Sequence, residues 1–230
     1  MNLLIVEMGV PPDTVRLACG SHADWFLRAL EARAGIFPRV IRPYLGEMLP
    51  EPADIAGALI TGSWSMVTEH LPWSEATADW IKKAMGVKLP LFGVCYGHQL
   101  MAYALGGRVG NNPNGAEIGC FSVTLTAEGK KDELTAACPE SFSAYLFHRQ
   151  SVLAPPEGAV ILAKSEQDPC QILRYGENAC SVQFHPEFTA AILRHACQDH
   201  GGSLLADMHH VQPETPWAER LLLDFFREER

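Results

Sequence analysis

The chain has 230 residues, 47% of them hydrophobic, which is enough to bury a sizeable core in one large domain or two small ones. Its 27 acidic against 18 basic residues leave a formal charge of -9, and no Lys/Arg cluster exceeds the pair Lys130-Lys131, so nucleic acid is not expected as a partner. Seven cysteines, at 19, 95, 120, 138, 170, 180 and 197, form an odd set with no C-x-x-C pair; this fits neither a disulfide framework nor a zinc knuckle and points to a reducing, cytoplasmic setting.

The first residues, MNLLIVEMGVPP, have no basic flank, a short apolar run and an acid at Glu7. They read as a strand from Leu3 to Met8, not as a signal peptide or a membrane span. Further buried strands are expected at Arg39 to Arg42, Ala58 to Thr61 and Leu89 to Val94. Between them fall helices from Ala23 to Ala34, with Trp25, Leu27 and Leu30 near one face, and from Ser74 to Met85, with Ser74 as N-cap. This βαβ rhythm implies a parallel sheet covered by helices on both faces. The second half changes to short strands at Phe121 to Thr126, Ala144 to Phe147 and Val160 to Ala163, then Cys170 to Tyr175 and Ala179 to Phe184, a hairpin candidate across Gly176-Glu177-Asn178. Helices are expected after Pro186 and from Pro216, whose fixed φ suits a first turn. Gln198 to Glu214 has no clear period, and no repeat or linker divides the chain, so a single domain spanning 1–230 is expected.

The stretch LPLFGVCYGHQL places Cys95 where a buried strand ends and a helix from Gly97 to Leu105 begins, with Gly93 and Gly97 two residues to either side. Flanking glycines permit the tight strand-turn-helix of a nucleophile elbow. Cys95 would then stand at the carboxyl edge of the sheet over a helix N-terminus, with the amide of Tyr96 aimed where an oxyanion forms. A buried structural cysteine in a glycine-punctuated strand fits the same five residues, and a nucleophile needs a base. Downstream, SVQFHPEF supplies His185 at the end of a strand and Glu187 two residues on, the base and the group that orients its ring.

Together, GVCYGHQL and QFHPE resemble the class I (triad) glutamine amidotransferase family, whose patterns are G-x-C-x-G-x-Q and H-P-E. ALITGSWSMV resembles that family's strand and Gly-Gly-Pro oxyanion loop: Gly62 matches the first glycine, while Ser63 and Trp64 replace the second glycine and the proline. NPNGAEIG and YLFHRQSVLAPPEGAVILAKS resemble stand-alone members related to the glutaminase half of GMP synthetase, with Gln150 where the family usually has an acid. The resemblance implies an α/β, flavodoxin-like domain with a mostly parallel central sheet flanked by helices and a smaller antiparallel strand region. It also implies hydrolysis of the side-chain amide of glutamine, or of a related γ-glutamyl amide, through a thioester on Cys95. His185 would act as acid and base, Glu187 would orient it, and the amides of Ser63 and Tyr96 would hold the oxyanion. Gly62, Gln99, His148, Arg149 and Gln150 would surround the substrate.

Three readings stay open: a glutaminase delivering ammonia to a separate synthase, a free-standing γ-glutamyl hydrolase or peptidase, and a non-catalytic regulatory protein on the same fold. The intact Cys95, His185 and Glu187 argue against the third. No cofactor is expected. His195-x-Cys197-x-x-His200 with His209-His210 is too irregular to indicate a metal site, and none is expected.

Overall fold

The computed structural model describes residues 2–31, 36–199 and 215–226. A nine-stranded sheet forms the centre, in the order β2-β1-β3-β4-β11-β10-β9-β6-β7. Its parallel half contains β1 (Asn2–Val6), β2 (Phe37–Ile41), β3 (Gly57–Ile60), β4 (Leu91–Val94) and β11 (Ala179–Val182). The antiparallel strands β6 (Glu117–Leu125), β7 (Ser141–His148), β9 (Val160–Lys164) and β10 (Ile172–Gly176) extend the same sheet. A separate pair, β5 (Arg108–Asn111) and β8 (Gln150–Ala154), had no counterpart in the sequence reading. Every residue of β3, β4 and β11 is buried, as expected for parallel strands covered on both faces.

One face packs α2 (His22–Glu31) and α6 (Pro216–Phe225) on the sheet, with Phe26 and Leu30 meeting Leu3, Ile5, Phe92 and Phe225. The other packs α3 (Pro72–Gly86) and α4 (Tyr96–Ala104) through Ile81, Ala84, Leu100 and Met101 against Leu4, Ile60 and Leu91. Two short helices, α1 (Asp13–Cys19) and α5 (Ala190–Asp199), share a smaller cluster around Val15, Trp25, Phe188 and Leu193. The hairpin β10–β11 forms as expected, with Gly176 opposite Ala179.

Ser74 is not an N-cap. The cap of α3 is Leu71, with Pro72 in the first turn where a missing N–H costs nothing. Ser74 lies inside the helix, and its buried hydroxyl meets the Tyr96 hydroxyl at 2.6 Å. Residues 32–34 at the end of the expected second helix, and 200–214 of the unassigned stretch, lie outside the described residues. So do His200, His209 and His210; Cys197 is buried on α5. All seven cysteines are unpaired.

Candidate functional site

The carboxyl ends of the parallel strands carry the site. The chain leaves β4 at Val94 and turns into α4 through Cys95, whose φ of 52° and ψ of -100° lie in a region that non-glycine residues rarely enter. Two backbone bonds hold the elbow: Cys95 N–H donates to Val182 O at 2.9 Å, and Gly97 N–H donates to Thr61 O at 3.2 Å. Neither flanking position has room for a side chain. A Cβ at Gly93 would sit 2.7 Å from both Gly97 O and Met101 Sδ, and one at Gly97 would overlap the carbonyl oxygen of Ile60.

His185 follows β11 by three residues and is fixed from several sides. Its backbone N–H donates to Tyr145 O at 2.8 Å, and its ring stacks on Phe188 at 3.9 Å between centroids. Ring Nδ1 donates to Glu187 Oε1 at 2.7 Å, with both side chains buried. Nε2 is buried with no hydrogen-bond partner. Burial works against a charged ring here, but the charges of Glu187 and of an ionised Cys95 more than offset it and raise His185 from 6.5 to about 10. Gly62 completes the convergence. A Cβ built there would lie 3.1 Å from His185 Cε1 and 3.8 Å from Cys95 Cβ, so His185 and Cys95 close on the same point of the loop after β3.

The pocket at this edge has a volume of about 140 Å³ and is lined by Cys95, Tyr96, Gln99, His148, Arg149 and Gln150 together with Ser63 to Met66, Ile118 and Phe147. Nearly all the residues expected to surround a substrate therefore border one cavity; Gly62 approaches it from behind His185. Ser63 Oγ accepts the N–H of Ser65 at 3.1 Å and stabilises the loop's turn. Trp64 is half-buried and packs against His22, Trp25 and Phe147, with centroids 5.2, 6.4 and 5.7 Å away. The Cys95 thiol points to Phe147 O at 3.8 Å. Gln99 is anchored by its amide nitrogen, which donates to Gln150 O at 2.6 Å and to Gln183 Oε1 at 3.0 Å.

Beneath His148 lies a buried polar layer. Its Nδ1 contacts Gln150 O at 2.9 Å and its Nε2 contacts Glu117 Oε2 at 2.9 Å; Gln171 Nε2 donates to the same oxygen at 2.9 Å. Glu117, His148 and Asp168 each offer one ligand-type atom within 4.8 Å of the others. A cation there would have to displace His148 from Glu117. Burial raises Asp168 above the ordinary carboxylate value, so it retains a proton more readily and can serve as a donor in a layer where Glu117 Oε1 and Gln171 Oε1 have no partner. We read the group as a hydrogen-bonded support for the pocket floor.

Two residues near the site escaped the sequence reading. His22, fully buried at the start of α2, contacts Gly9 O through Nδ1 at 3.1 Å, and burial lowers it to about 3, so it is neutral beside the cationic His185. Glu7 follows β1, and its carboxylate accepts the Ala23 N–H at 2.9 Å, which caps α2, and Arg42 Nε at 2.8 Å. The acid after an apolar run was a visible signal for Glu7; His22 gave none, since its partners lie elsewhere in the chain.

A family model described as glutamine amidotransferase class-I matches residues 40–198. The chain is similar to gamma-glutamyl peptidase 5 of Arabidopsis thaliana, 26% identical over 74% of this chain and 73% of that protein. It is also similar to the glutamine-hydrolyzing GMP synthase of Aeropyrum pernix, 31% identical over 70% of this chain but only 29% of that one. A glutamine amidotransferase-like protein of Salmonella typhimurium is 33% identical over 72% of this chain and 71% of its own. Among solved structures, a glutamine amido transferase from Methylobacillus flagellatus superposes with a TM-score of 0.76 at 23% identity, covering 97% of this chain and 93% of that one. The solved structure of SMU.1228c gives 0.77 at 21% identity over 98% and 97%.

Proposed function

Because the chain belongs to the class-I glutamine amidotransferase family, we propose that it hydrolyses the terminal amide of glutamine or a related γ-glutamyl amide through a thioester on Cys95. The observation that carries this reading is the left-handed Cys95 at the strand-helix junction, sharing the approach to Gly62 with a His185 whose far nitrogen is bound to Glu187. In this mechanism His185 takes the thiol proton, and the sulfur attacks the amide carbon. The oxyanion forms against the backbone amides of Tyr96 and Ser63, each worth about 3 kcal/mol by comparison with other oxyanion donors. The C–N bond breaks as His185 returns its proton to the leaving amine. A water deprotonated by the same ring then cleaves the thioester, releasing the γ-carboxylate and the thiol. Glu187 holds the ring's tautomer and stabilises its cationic form.

Two fates of the amine remain distinct. In the first, ammonia passes to a separate synthase subunit. In the second, the protein is a free-standing γ-glutamyl hydrolase, a reading favoured by similarity over 73% of a γ-glutamyl peptidase against 29% of a synthase. The test is a screen of glutamine and γ-glutamyl amides and peptides against the purified chain, measuring amine and acid products together. Turnover should vanish in Cys95→Ala and in His185→Ala, and should fall but stay measurable in Glu187→Ala. Full activity in folded His185→Ala would remove the base from this scheme.

A further inference from the structure

The pocket's charge is unusual for one that would receive a free amino acid. Cys95, only 6% exposed, forms its floor, and Arg149, which is exposed, stands at its mouth. An amide carbon held at Cys95 therefore places the α end of a γ-glutamyl group near Arg149. No aspartate or glutamate lines the pocket, and among the described residues the Arg149 guanidinium forms no ion pair. The nearby acids are committed elsewhere: Glu69 caps its own turn through the Met66 N–H at 2.8 Å, and Glu117 is sealed behind His148. Gln150, 5% exposed in the wall, has its amide nitrogen on Thr68 Oγ1 at 2.7 Å and Asn111 Oδ1 at 3.3 Å and contributes no charge. Around this cation the wall is apolar, with Trp64, Met66, Ile118 and Phe147 all half-buried.

We propose that the substrate is a γ-glutamyl amide whose α-nitrogen is acylated, with Arg149 binding its α-carboxylate and the apolar wall receiving the acyl group. This rests on the γ-glutamyl amide reading above and narrows it. Free glutamine brings an ammonium as well as a carboxylate, and a pocket with one guanidinium and no carboxylate offers the ammonium repulsion without a counter-charge. Acylation removes that charge, leaves a net anion matched to Arg149, and adds apolar surface where the wall can cover it.

The experiment compares L-glutamine with Nα-acetyl-L-glutamine by steady-state ammonia release from the intact chain. The acetylated compound should have the higher kcat/KM by about tenfold or more, mostly through KM, since the discriminating charge lies away from the reacting bond. Arg149→Gln should lower kcat/KM for the acetylated compound by about tenfold. Gln150→Glu, checked for folding by its thermal transition, should shift preference toward free glutamine by supplying the missing acid. Preference for free glutamine in the wild type, or equal shifts for both compounds in Gln150→Glu, would overturn the proposal while leaving amide hydrolysis intact. Release of ammonia from neither, with Cys95 inert to electrophiles, would overturn both.

Discussion

The backbone at Cys95 can be tested without reference to activity. A side chain at φ 52°, ψ -100° stores about 1–3 kcal/mol of strain that glycine would not carry. At an ordinary buried helical position, replacing alanine by glycine costs about 1–2 kcal/mol, from lost helix propensity and one lost methyl group. Ala102, fully buried in α4, is such a position. At residue 95, relief of strain should offset that cost. Cys95→Gly is therefore expected to be at least as stable as Cys95→Ala, whereas Ala102→Gly should lose about 1–2 kcal/mol against wild type. Comparing the two Cys95 variants with each other cancels the lost sulfur. Urea unfolding midpoints, converted with a shared m-value, give both differences. If glycine costs as much at 95 as at 102, the elbow is not strained and its geometry needs another explanation.

The pH dependence follows from His185. Its folded value, about 10, exceeds its unfolded value of 6.5, so the folded chain binds the additional proton between them. Its contribution to stability is complete below pH 6.5 and is lost as pH rises through about 10; Glu187→Gln should abolish that loss and bring the ring's NMR titration down, because burial then dominates. Gly97→Ala should cost about 1–3 kcal/mol or more and slow Cys95 alkylation, since the new methyl overlaps the Ile60 carbonyl oxygen and the elbow must move. Thermal melts and alkylation rates read both effects; an unchanged elbow reactivity would count against the tight packing.

The parallel half of the fold was legible because its strands are short and wholly apolar and its helices carry clear faces. Gly93, Cys95 and Gly97 stood out because their spacing has a geometric purpose, and His185 with Glu187 because both fall at a strand end. Other features depend on contacts that no local pattern records. The joining of β10, β9, β6 and β7 to the parallel strands rests on the antiparallel pairing of β10 with β11, next to β4. The pair β5–β8 is half-exposed on its first strand and short, so neither period nor apolarity marks it. Helix α1 buries only Val15 and lacks a repeating face. The layer of Glu117, His148 and Gln171 is assembled across separations of 31 and 54 residues, and each member looked like an ordinary surface residue in sequence. Ser74 misled because a serine near a helix start suggests a cap, while the proline two residues earlier had already begun the helix.

The central claim is that Cys95, alone among seven cysteines, is the nucleophile. It is tested most directly by treating the folded chain with a γ-diazoketone analogue of glutamine, in free and Nα-acetylated forms, and mapping adducts by mass spectrometry. Burial raises the thiols of Cys19, Cys120, Cys138, Cys170 and Cys197, Cys138 to about 11 and Cys170 to about 12, which keeps them protonated and slow. The account predicts one adduct per chain, on Cys95, lost in Cys95→Ala and strongly slowed in His185→Ala. Adducts spread over several cysteines, or none on Cys95 in the folded protein, would contradict it.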